Sequence, residues 1–279
     1  MNTYKQIYDE GVQMLRGAGI SESKLDGRLL LEYVCGTDMN YLLVHGEELV
    51  TPENEKRYME CINRRCAREP LAYITGSQEF MGLDFKVSSD VLIPNQDTET
   101  LVEEVLREIC DGMEILDLCT GSGCIILSIL NYTNDTRADA TDISEAALSV
   151  ANENAVLLKL NERIQFLKTD LFPEDEKKYD IIVSNPPYIK SDVIDTLEPE
   201  VKEYEPRLAL DGETDGLVFY QRILKNANRY LKRGGWLFVE IGYDQGDDVQ
   251  ALFNENGFKE VELVKDLCGN ARVVKGCLY

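Results

Sequence analysis

Histidine and paired cysteines, the usual protein ligands of zinc, are scarce in this sequence. The 279-residue chain has one histidine, His45, and its eight cysteines include no C-x-x-C pair. Because zinc sites are built from closely spaced cysteine and histidine side chains, we expect no metal site. Reduced and mostly buried thiols are the expected state of the cysteines, and His45 is expected to have no chemical role.

Basic residues are also few. Lysine and arginine number 29 against 51 aspartates and glutamates, which gives a net charge of −22. Nucleic-acid binding usually requires clustered basic side chains that displace counterions, and the densest such group here is Arg64, Arg65 and Arg68. This composition argues against direct nucleic-acid binding.

Long apolar runs are missing as well. The first fifteen residues interleave polar and apolar side chains, unlike a signal peptide, and no later segment approaches the length of a membrane span. We therefore expect a cytoplasmic protein that does not bind membranes. With 44% hydrophobic and 29% charged residues, it has the composition of an ordinary folded protein of one large or two modest domains.

Three regions follow from the spacing of the apolar residues. Through residues 1–70 the spacing is three and four, which predicts a small domain of several short helices. In residues 71–94 short apolar runs are interrupted by glycines, which predicts strands or a hairpin that links two domains. These runs lie at 71–75, 80–87 and 91–93. Residues 95–279 alternate between strand-like and helix-like runs, which is typical of a doubly wound parallel sheet.

The α/β region contains seven candidate strands and four candidate helices. The strands are predicted at 114–118, 137–141, 164–167, 180–184, 236–241, 259–264 and 272–277. The helices are predicted at 124–130, 145–158, 217–231 and 247–256. The sequence Lys-Arg-Gly-Gly at 232–235 is interpreted as the end of the third helix, because cations and glycines favour helix C-termini.

A glycine-containing turn follows the first of these strands. Residues 115–123 read Ile-Leu-Asp-Leu-Cys-Thr-Gly-Ser-Gly, and glycines at this place in an α/β sheet let the backbone approach a ligand closely. A dinucleotide fingerprint requires a third glycine after two more residues, and this glycine is missing. Asp142 closes the next strand, where a carboxylate can accept both hydrogens of a ribose diol. Asp170 or Leu171 either borders an adenine pocket or lies in a surface loop.

The tetrapeptide Asn185-Pro186-Pro187-Tyr188 ends another buried strand at the same sheet edge. The side-chain carbonyl of Asn185 and the main-chain carbonyl of Pro186 can accept both hydrogens of a planar NH2 group. The ring of Tyr188 can pack over that acceptor and exclude water. The alternative is a proline-rich turn or a ligand for a WW-like module, which the position behind a buried strand argues against.

Several motifs together resemble the HemK/PrmC-type glutamine methyltransferases that modify peptide chain release factors. They lie at 69–76, 91–94, 97–99, 115–123, 185–188, 205–210, 215–217 and 240–242. The resemblance implies a seven-stranded, Rossmann-like class I methyltransferase domain with a small N-terminal helical domain that recognises the substrate. It also implies methyl transfer from S-adenosylmethionine, with S-adenosylhomocysteine as product, to the glutamine amide of a release factor's Gly-Gly-Gln loop, which enters between the domains.

The resemblance also assigns site residues. Contacts to the cofactor are expected from Cys119, Thr120, Gly121, Ser122, Gly123, Asp142, Leu171 and Asn185. The catalytic residues are expected to be Asn185, Pro186 and Tyr188. The glutamine pocket is expected to be lined by Asn185, Pro186, Pro187 and Tyr188.

Three positions depart from the family pattern. Cys119 stands where the family usually has glycine, Asn95 where it usually has arginine, and Leu171 where an aromatic residue is common. The first departure predicts a change in backbone strain, because residues other than glycine avoid positive φ. The second removes a cation that would anchor Asp97 or Glu99, so these carboxylates are expected to serve interdomain structure rather than catalysis.

Other functions compete with this interpretation. A DNA adenine-N6 or cytosine-N4 methyltransferase faces the same NH2 chemistry, but residues 91–279 contain 19 basic and 36 acidic residues, a net charge of 19 − 36 = −17. A glutamine methyltransferase that acts on a ribosomal protein would have the same catalytic residues. A binding module without activity is the third alternative, and it would not need the glycine turn, Asp142 and Asn185.

Overall fold

The computed structural model describes residues 2–279. It contains two compact units. The first comprises residues 2–76 together with Glu198–Tyr204, and the second comprises Ser77–Leu197 together with Glu205–Tyr279. Within residues 2–279, no helix is both long and apolar enough to cross a membrane.

The first unit is helical. Its first five helices are α1 (Tyr4–Gly17), α2 (Ser23–Cys35), α3 (Met39–His45), α4 (Pro52–Cys66) and α5 (Leu71–Thr75). A capping box starts α1, in which the Thr3 hydroxyl accepts the Gln6 N–H and the Gln6 side chain accepts the Thr3 N–H. The Thr51 hydroxyl caps α4 by accepting the Asn54 N–H. The core of this unit contains Ile7, Leu15, Leu30, Leu31, Tyr58 and Ile62.

A segment distant in sequence completes the first unit. Glu200 accepts hydrogen bonds from Arg65 Nη1 at 3.0 Å and from Arg68 Nε at 2.9 Å. The Tyr204 hydroxyl donates to the Ala67 carbonyl at 2.7 Å. Residues 198–204, which follow the Asn-Pro-Pro-Tyr tetrapeptide in the chain, therefore fold with the helices rather than with the sheet.

The second unit contains nine strands. They are β1 (Ser77–Phe80), β2 (Leu83–Lys86), β3 (Glu114–Leu118), β4 (Arg137–Asp142), β5 (Ile164–Lys168), β6 (Tyr179–Ser184), β7 (Leu231–Glu240), β8 (Lys259–Lys265) and β9 (Ala271–Leu278). The first two pair as an antiparallel hairpin. The other seven form one sheet in the order β5-β4-β3-β6-β7-β9-β8. Pairings from β5 to β7 are parallel, whereas β9 is antiparallel to both β7 and β8.

The remaining helices lie between these strands. They are α6 (Glu99–Glu108), α7 (Cys124–Asn131), α8 (Glu145–Leu157), α9 (Ser191–Ile194), α10 (Pro199–Lys202), α11 (Arg207–Leu210), α12 (Val218–Ala227) and α13 (Gly246–Glu255). Of these, α10 belongs to the first unit. A 3₁₀ turn at Gln96–Thr98 leads into α6.

Alternation along the buried strands gives the sheet two apolar faces. One face, with Ile115, Ile181, Val183, Phe238 and Val273, packs against α6 and α7. The opposite face, with Leu116, Leu118, Ile182, Leu237, Val239 and Val274, packs against α12 and α13. Helices on both faces of a mostly parallel sheet confirm the predicted fold class, and all seven predicted strands are present.

Three expectations about local structure were wrong. Leu71–Thr75 is a helical turn rather than a strand, because Pro70 starts it and Gly76, at φ +77°, ends it with a hydrogen bond to the Ala72 carbonyl. Residues 91–93 form no strand; Val91 closes a turn onto Ser88 instead. The sequence at 232–235 lies inside β7, because α12 already ends at Ala227.

The cysteines are less buried than expected. All eight are free thiols. Only Cys61, Cys124 and Cys277 are buried, whereas Cys110 and Cys268 are exposed.

Candidate active site

A cavity of about 230 Å³ lies in the second unit, where β3, β4 and β6 end. Parallel sheets bind ligands at this edge, because the loops after the strands converge there. Its walls include the glycine turn, the end of β4, the tetrapeptide and the segment that precedes α6. Eight of the predicted site residues line it: Cys119, Thr120, Gly121, Ser122, Asp142, Leu171, Asn185 and Pro187. The other three, Gly123, Pro186 and Tyr188, are not in its wall.

The glycine turn is wound tightly after β3. Gly121 and Gly123 have φ angles of +57° and +79°, a conformation that glycine adopts without steric cost. Gly123 caps α7, and a Cβ atom there would lie 3.0 Å from Leu127 Cδ1. The loop therefore needs glycine at 123 for close packing against its own helix rather than for space in the cavity.

The Asp142 carboxylate stabilises this turn through hydrogen bonds with backbone N–H groups. Its Oδ2 accepts the Gly121 N–H at 3.0 Å, and its Oδ1 accepts the Ser144 N–H at 2.9 Å. Burial raises the pKa of Asp142, which these backbone hydrogen bonds oppose. Since each carboxylate oxygen has two acceptor sites, Asp142 keeps lone pairs for a ligand in the cavity.

Asp117, the aspartate within β3, is a buried carboxylate beneath the turn. Its Oδ2 accepts the Thr120 hydroxyl at 2.6 Å, whereas Oδ1 has no partner within residues 2–279. Burial raises the pKa of Asp117 to about 7, although the Thr120 hydrogen bond opposes this. A buried oxygen without a partner is unusual in a folded protein, and here it lies next to the loop that lines the cavity.

Cys119 and Leu171 both have positive φ, at +60° and +68°. For a residue with a side chain this conformation costs about 1–3 kcal/mol. We expect Cys119→Gly to be more stable than Cys119→Ala by about 1 kcal/mol, because both lose the thiol and only alanine keeps the strain. Urea unfolding of the two variants measures the difference. If the alanine variant is the more stable, position 119 is not strained.

The tetrapeptide follows β6 directly. Asn185 and Pro187 line the cavity, and Asn185 Nδ2 lies 3.5 Å from Thr98 Oγ1, to which it donates. Pro186 is buried. The Tyr188 hydroxyl donates to Glu240 Oε1 at 3.3 Å, and the ring lies outside the cavity wall. The prediction that this ring covers the acceptor therefore has no support from its position.

A brace behind the tetrapeptide was missed by sequence analysis. Gln245 Nε2 donates to the main-chain carbonyls of Tyr188 and Gly216, each at 3.1 Å. A Cβ atom at Gly212 would lie only 2.7 Å from Tyr188 Cα, so the two backbones are in direct contact. The motif at 215–217 gave the only signal for this contact, since residues 188, 216 and 245 are distant in sequence.

Asp97 and Glu99 are held within the second unit. Asp97 Oδ2 accepts from Arg272 Nη2 at 2.8 Å, and Glu99 Oε1 accepts the Met81 N–H at 2.7 Å. Arg272 therefore supplies the cation that Asn95 cannot. Both contacts lie inside the second unit, so the expectation that these two carboxylates serve interdomain structure is wrong.

Comparison with known proteins identifies the family. The family models described as PrmC N-terminal domain and Methyltransferase small domain match residues 6–76 and 94–214. The chain is 41% identical to the release factor glutamine methyltransferase of Clostridium botulinum over 280 residues, which cover 99% of each chain. It is 43% identical to the protein of that name from Moorella thermoacetica, over 97% of this chain and 96% of the relative. The chain belongs to the release factor glutamine methyltransferase family.

Membership of the release factor glutamine methyltransferase family confirms the resemblance seen in the sequence. It makes the chain an S-adenosylmethionine-dependent methyltransferase. A solved ribosomal protein L11 methylase from Lactobacillus delbrueckii subsp. bulgaricus has a similar fold, with a TM-score of 0.50 and 20% identity. The match covers 69% of this chain and 84% of that one, and it shows the fold alone.

The cavity fits the cofactor of this family. A ribose diol needs an acceptor such as Asp142, and a closely approaching ligand needs a backbone without side chains, as at Gly121. An adenine ring needs an apolar wall, which Ile143, Leu171 and Phe219 can provide. The residues present are therefore suited to S-adenosylmethionine.

Proposed function

We propose that this enzyme methylates the side-chain amide nitrogen of the glutamine in the Gly-Gly-Gln loop of a peptide chain release factor. The observation that carries the proposal is the shared cavity: Asn185 lines the same space as Gly121 and Asp142. An amide bound by the tetrapeptide would therefore face a cofactor bound by the turn. The names of the relatives support a release factor as the protein that carries the glutamine.

The chemistry requires a poor nucleophile to be held in place. An amide nitrogen has a delocalised lone pair, and bound S-adenosylmethionine supplies an electrophilic methyl group. We assign Asn185 Oδ1 and the Pro186 carbonyl as acceptors for the two N–H bonds of the glutamine amide. With both hydrogens held, the nitrogen would point at the methyl group and become pyramidal as the new N–C bond forms. The methyl–sulfur bond would break in the same step, and the surplus N–H proton would then pass to water.

The other predicted residues receive supporting roles. Asp142 and the turn from Cys119 to Ser122 are assigned to the cofactor, with Gly123 shaping the turn from outside the cavity. Leu171 is assigned to the adenine wall, and Pro187 to the glutamine pocket. Tyr188 remains a proposed part of the glutamine pocket, and its hydroxyl contact with Glu240 supports a role in holding the tetrapeptide.

The partner and the location follow from this substrate. We assign recognition of the release factor to the N-terminal helical region, and the predicted boundaries at residues 70 and 94 stay predictions. A translation factor as substrate implies a cytoplasmic enzyme. The net charge of −22 supports a protein rather than a nucleic acid as partner.

We expect the enzyme to transfer a labelled methyl group from S-adenosylmethionine to an intact release factor and not to a variant whose Gly-Gly-Gln glutamine is alanine. The alanine variant keeps the rest of the docking surface, so it separates specific transfer from background labelling. Ribosomal proteins and duplex DNA serve as competing acceptors in the same assay. Labelling of either of these, with the release factor inert, would contradict the proposed substrate.

A further inference from the structure

A buried carboxylate lies beside the tetrapeptide without an assigned role. Glu240 ends β7, and because Val239 pairs with Ser184 of β6, Glu240 lies at the level of Asn185. Glu240 is only 2% exposed. Its Oε1 accepts the Tyr188 hydroxyl, while its Oε2 has no hydrogen-bond partner in the part of the chain that the structure describes. A buried carboxylate with so few partners is costly and calls for a functional explanation.

Thr98 connects this carboxylate to Asn185. It is 3% exposed, precedes α6 and lines the cavity. Burial raises the pKa of Glu240 to about 7, and the neighbouring Thr98 hydroxyl opposes that rise. A hydroxyl has one proton and an ionised carboxylate can only accept. Because Glu240 Oε2 has no partner among the described residues, we assign the Thr98 proton to this carboxylate. The Thr98 oxygen is then an acceptor, and it receives Asn185 Nδ2 at 3.5 Å.

We propose that Glu240 is a positioning residue for methyl transfer, which acts through Thr98 to fix the side-chain amide of Asn185 with its carbonyl end available to the substrate. This inference rests on the proposed function of Asn185 as an acceptor. Through the Tyr188 hydroxyl, the same carboxylate holds the other end of the tetrapeptide. The buried Glu240 carboxylate thereby positions both ends of the tetrapeptide, to which we assign binding of the glutamine.

The direction of the Asn185 amide matters because its two ends have nearly the same shape and opposite hydrogen-bonding character. When the NH2 end faces Thr98, the planar amide turns its carbonyl the other way. A reversed amide would present NH2 to the NH2 of the glutamine, donor against donor. Loss of the Thr98 contact should therefore lower turnover and leave cofactor affinity nearly unchanged.

The other charged groups near Glu240 are already engaged. Arg272 bonds to Asp97 at 2.8 Å and to Asp266 at 3.1 Å. The charge of Arg272 lowers the pKa of Glu240, and the charge of Asp97 raises it. Both act on the Glu240 carboxylate through their charge and not through a hydrogen bond. Thr98 and Tyr188 are thus the groups that Glu240 can orient.

Thr98→Val tests the inference, because valine keeps the shape of threonine and removes the hydroxyl. At pH 8, above the pKa of Glu240, we expect Thr98→Val and Glu240→Gln each to lower kcat about tenfold or more. The Kd for S-adenosylmethionine should change by less than about twofold. Thr98→Ser, which keeps the hydroxyl, should recover most of the turnover. Thermal unfolding of each variant shows whether it is folded.

Combination with Asn185→Ala separates positioning from a general structural role. Once Asn185 has no amide, Thr98→Val should change the residual rate by less than about twofold, because there is nothing left to orient. A full loss from Thr98→Val in the Asn185→Ala background, or wild-type turnover in Thr98→Val alone, would overturn the inference. Failure of the unaltered enzyme to methylate any glutamine would instead overturn the proposed function.

Discussion

Asn185→Ala is expected to lower kcat for glutamine methylation by about 100- to 1,000-fold, the usual effect of removing one preorganised hydrogen-bonding group from a transition state. Asn185 lines the cavity from the end of β6, and its side-chain carbonyl is the acceptor that we assign to one N–H of the glutamine amide. The loss should fall on the chemical step, because we assign cofactor binding mainly to the glycine turn and Asp142. Single-turnover kinetics and calorimetric titration with S-adenosylmethionine measure the two quantities.

The matched control is Asn161→Ala, which makes the same change at an exposed asparagine outside the cavity wall. It should leave both quantities unchanged. If Asn185→Ala keeps kcat within about tenfold of the unaltered enzyme, Asn185 is not the acceptor. A loss of cofactor affinity as large as the loss of turnover would instead make it mainly a cofactor ligand.

Asp142→Asn is expected to raise the Kd for S-adenosylmethionine by about 10- to 100-fold. Hydrogen bonds to a charged group are worth about 1.5–3 kcal/mol, and each 1.4 kcal/mol is a factor of ten. Asp142 holds the Gly121 and Ser144 N–H groups and lines the cavity, so an amide would lose both the charge and one acceptor oxygen. Calorimetric titration measures the change directly.

Asp135→Asn is the control for Asp142, because Asp135 is an exposed carboxylate just before the opposite end of β4. The affinity of the Asp135→Asn variant for S-adenosylmethionine should equal that of the unaltered protein. Equal affinities in the two variants would show that Asp142 only shapes the turn and does not bind the ribose.

The sheet was predictable from sequence because its strands are buried on both faces. The run from Ile181 to Val183 is continuously apolar, and the run from Ile115 to Leu118 is interrupted only by Asp117. The turns after these strands contain glycine or proline. The glycine turn, Asp142 and Asn185 were predictable for the same reason, since each follows directly at the end of a strand. The departure at Cys119 likewise predicted strain, and its φ of +60° agrees with that prediction.

The supporting groups could not be predicted because they depend on which strands are neighbours. Thr98, Asn185 and Glu240 meet only because β6 and β7 are adjacent in the sheet and the turn before α6 packs near their ends. Arg272 reaches Asp97 across 175 positions. Helix α6 itself was missed, although Leu101, Val102 and Val105 have helical spacing.

The most direct test of the mechanism is a crystal structure of the enzyme with S-adenosylhomocysteine and a peptide that contains Gly-Gly-Gln. We predict that the glutamine amide nitrogen lies within hydrogen-bond distance of both Asn185 Oδ1 and the Pro186 carbonyl oxygen, and faces the sulfur of the cofactor product. An Asn185 side chain turned away from the glutamine, or a glutamine amide that contacts neither oxygen, would contradict the mechanism.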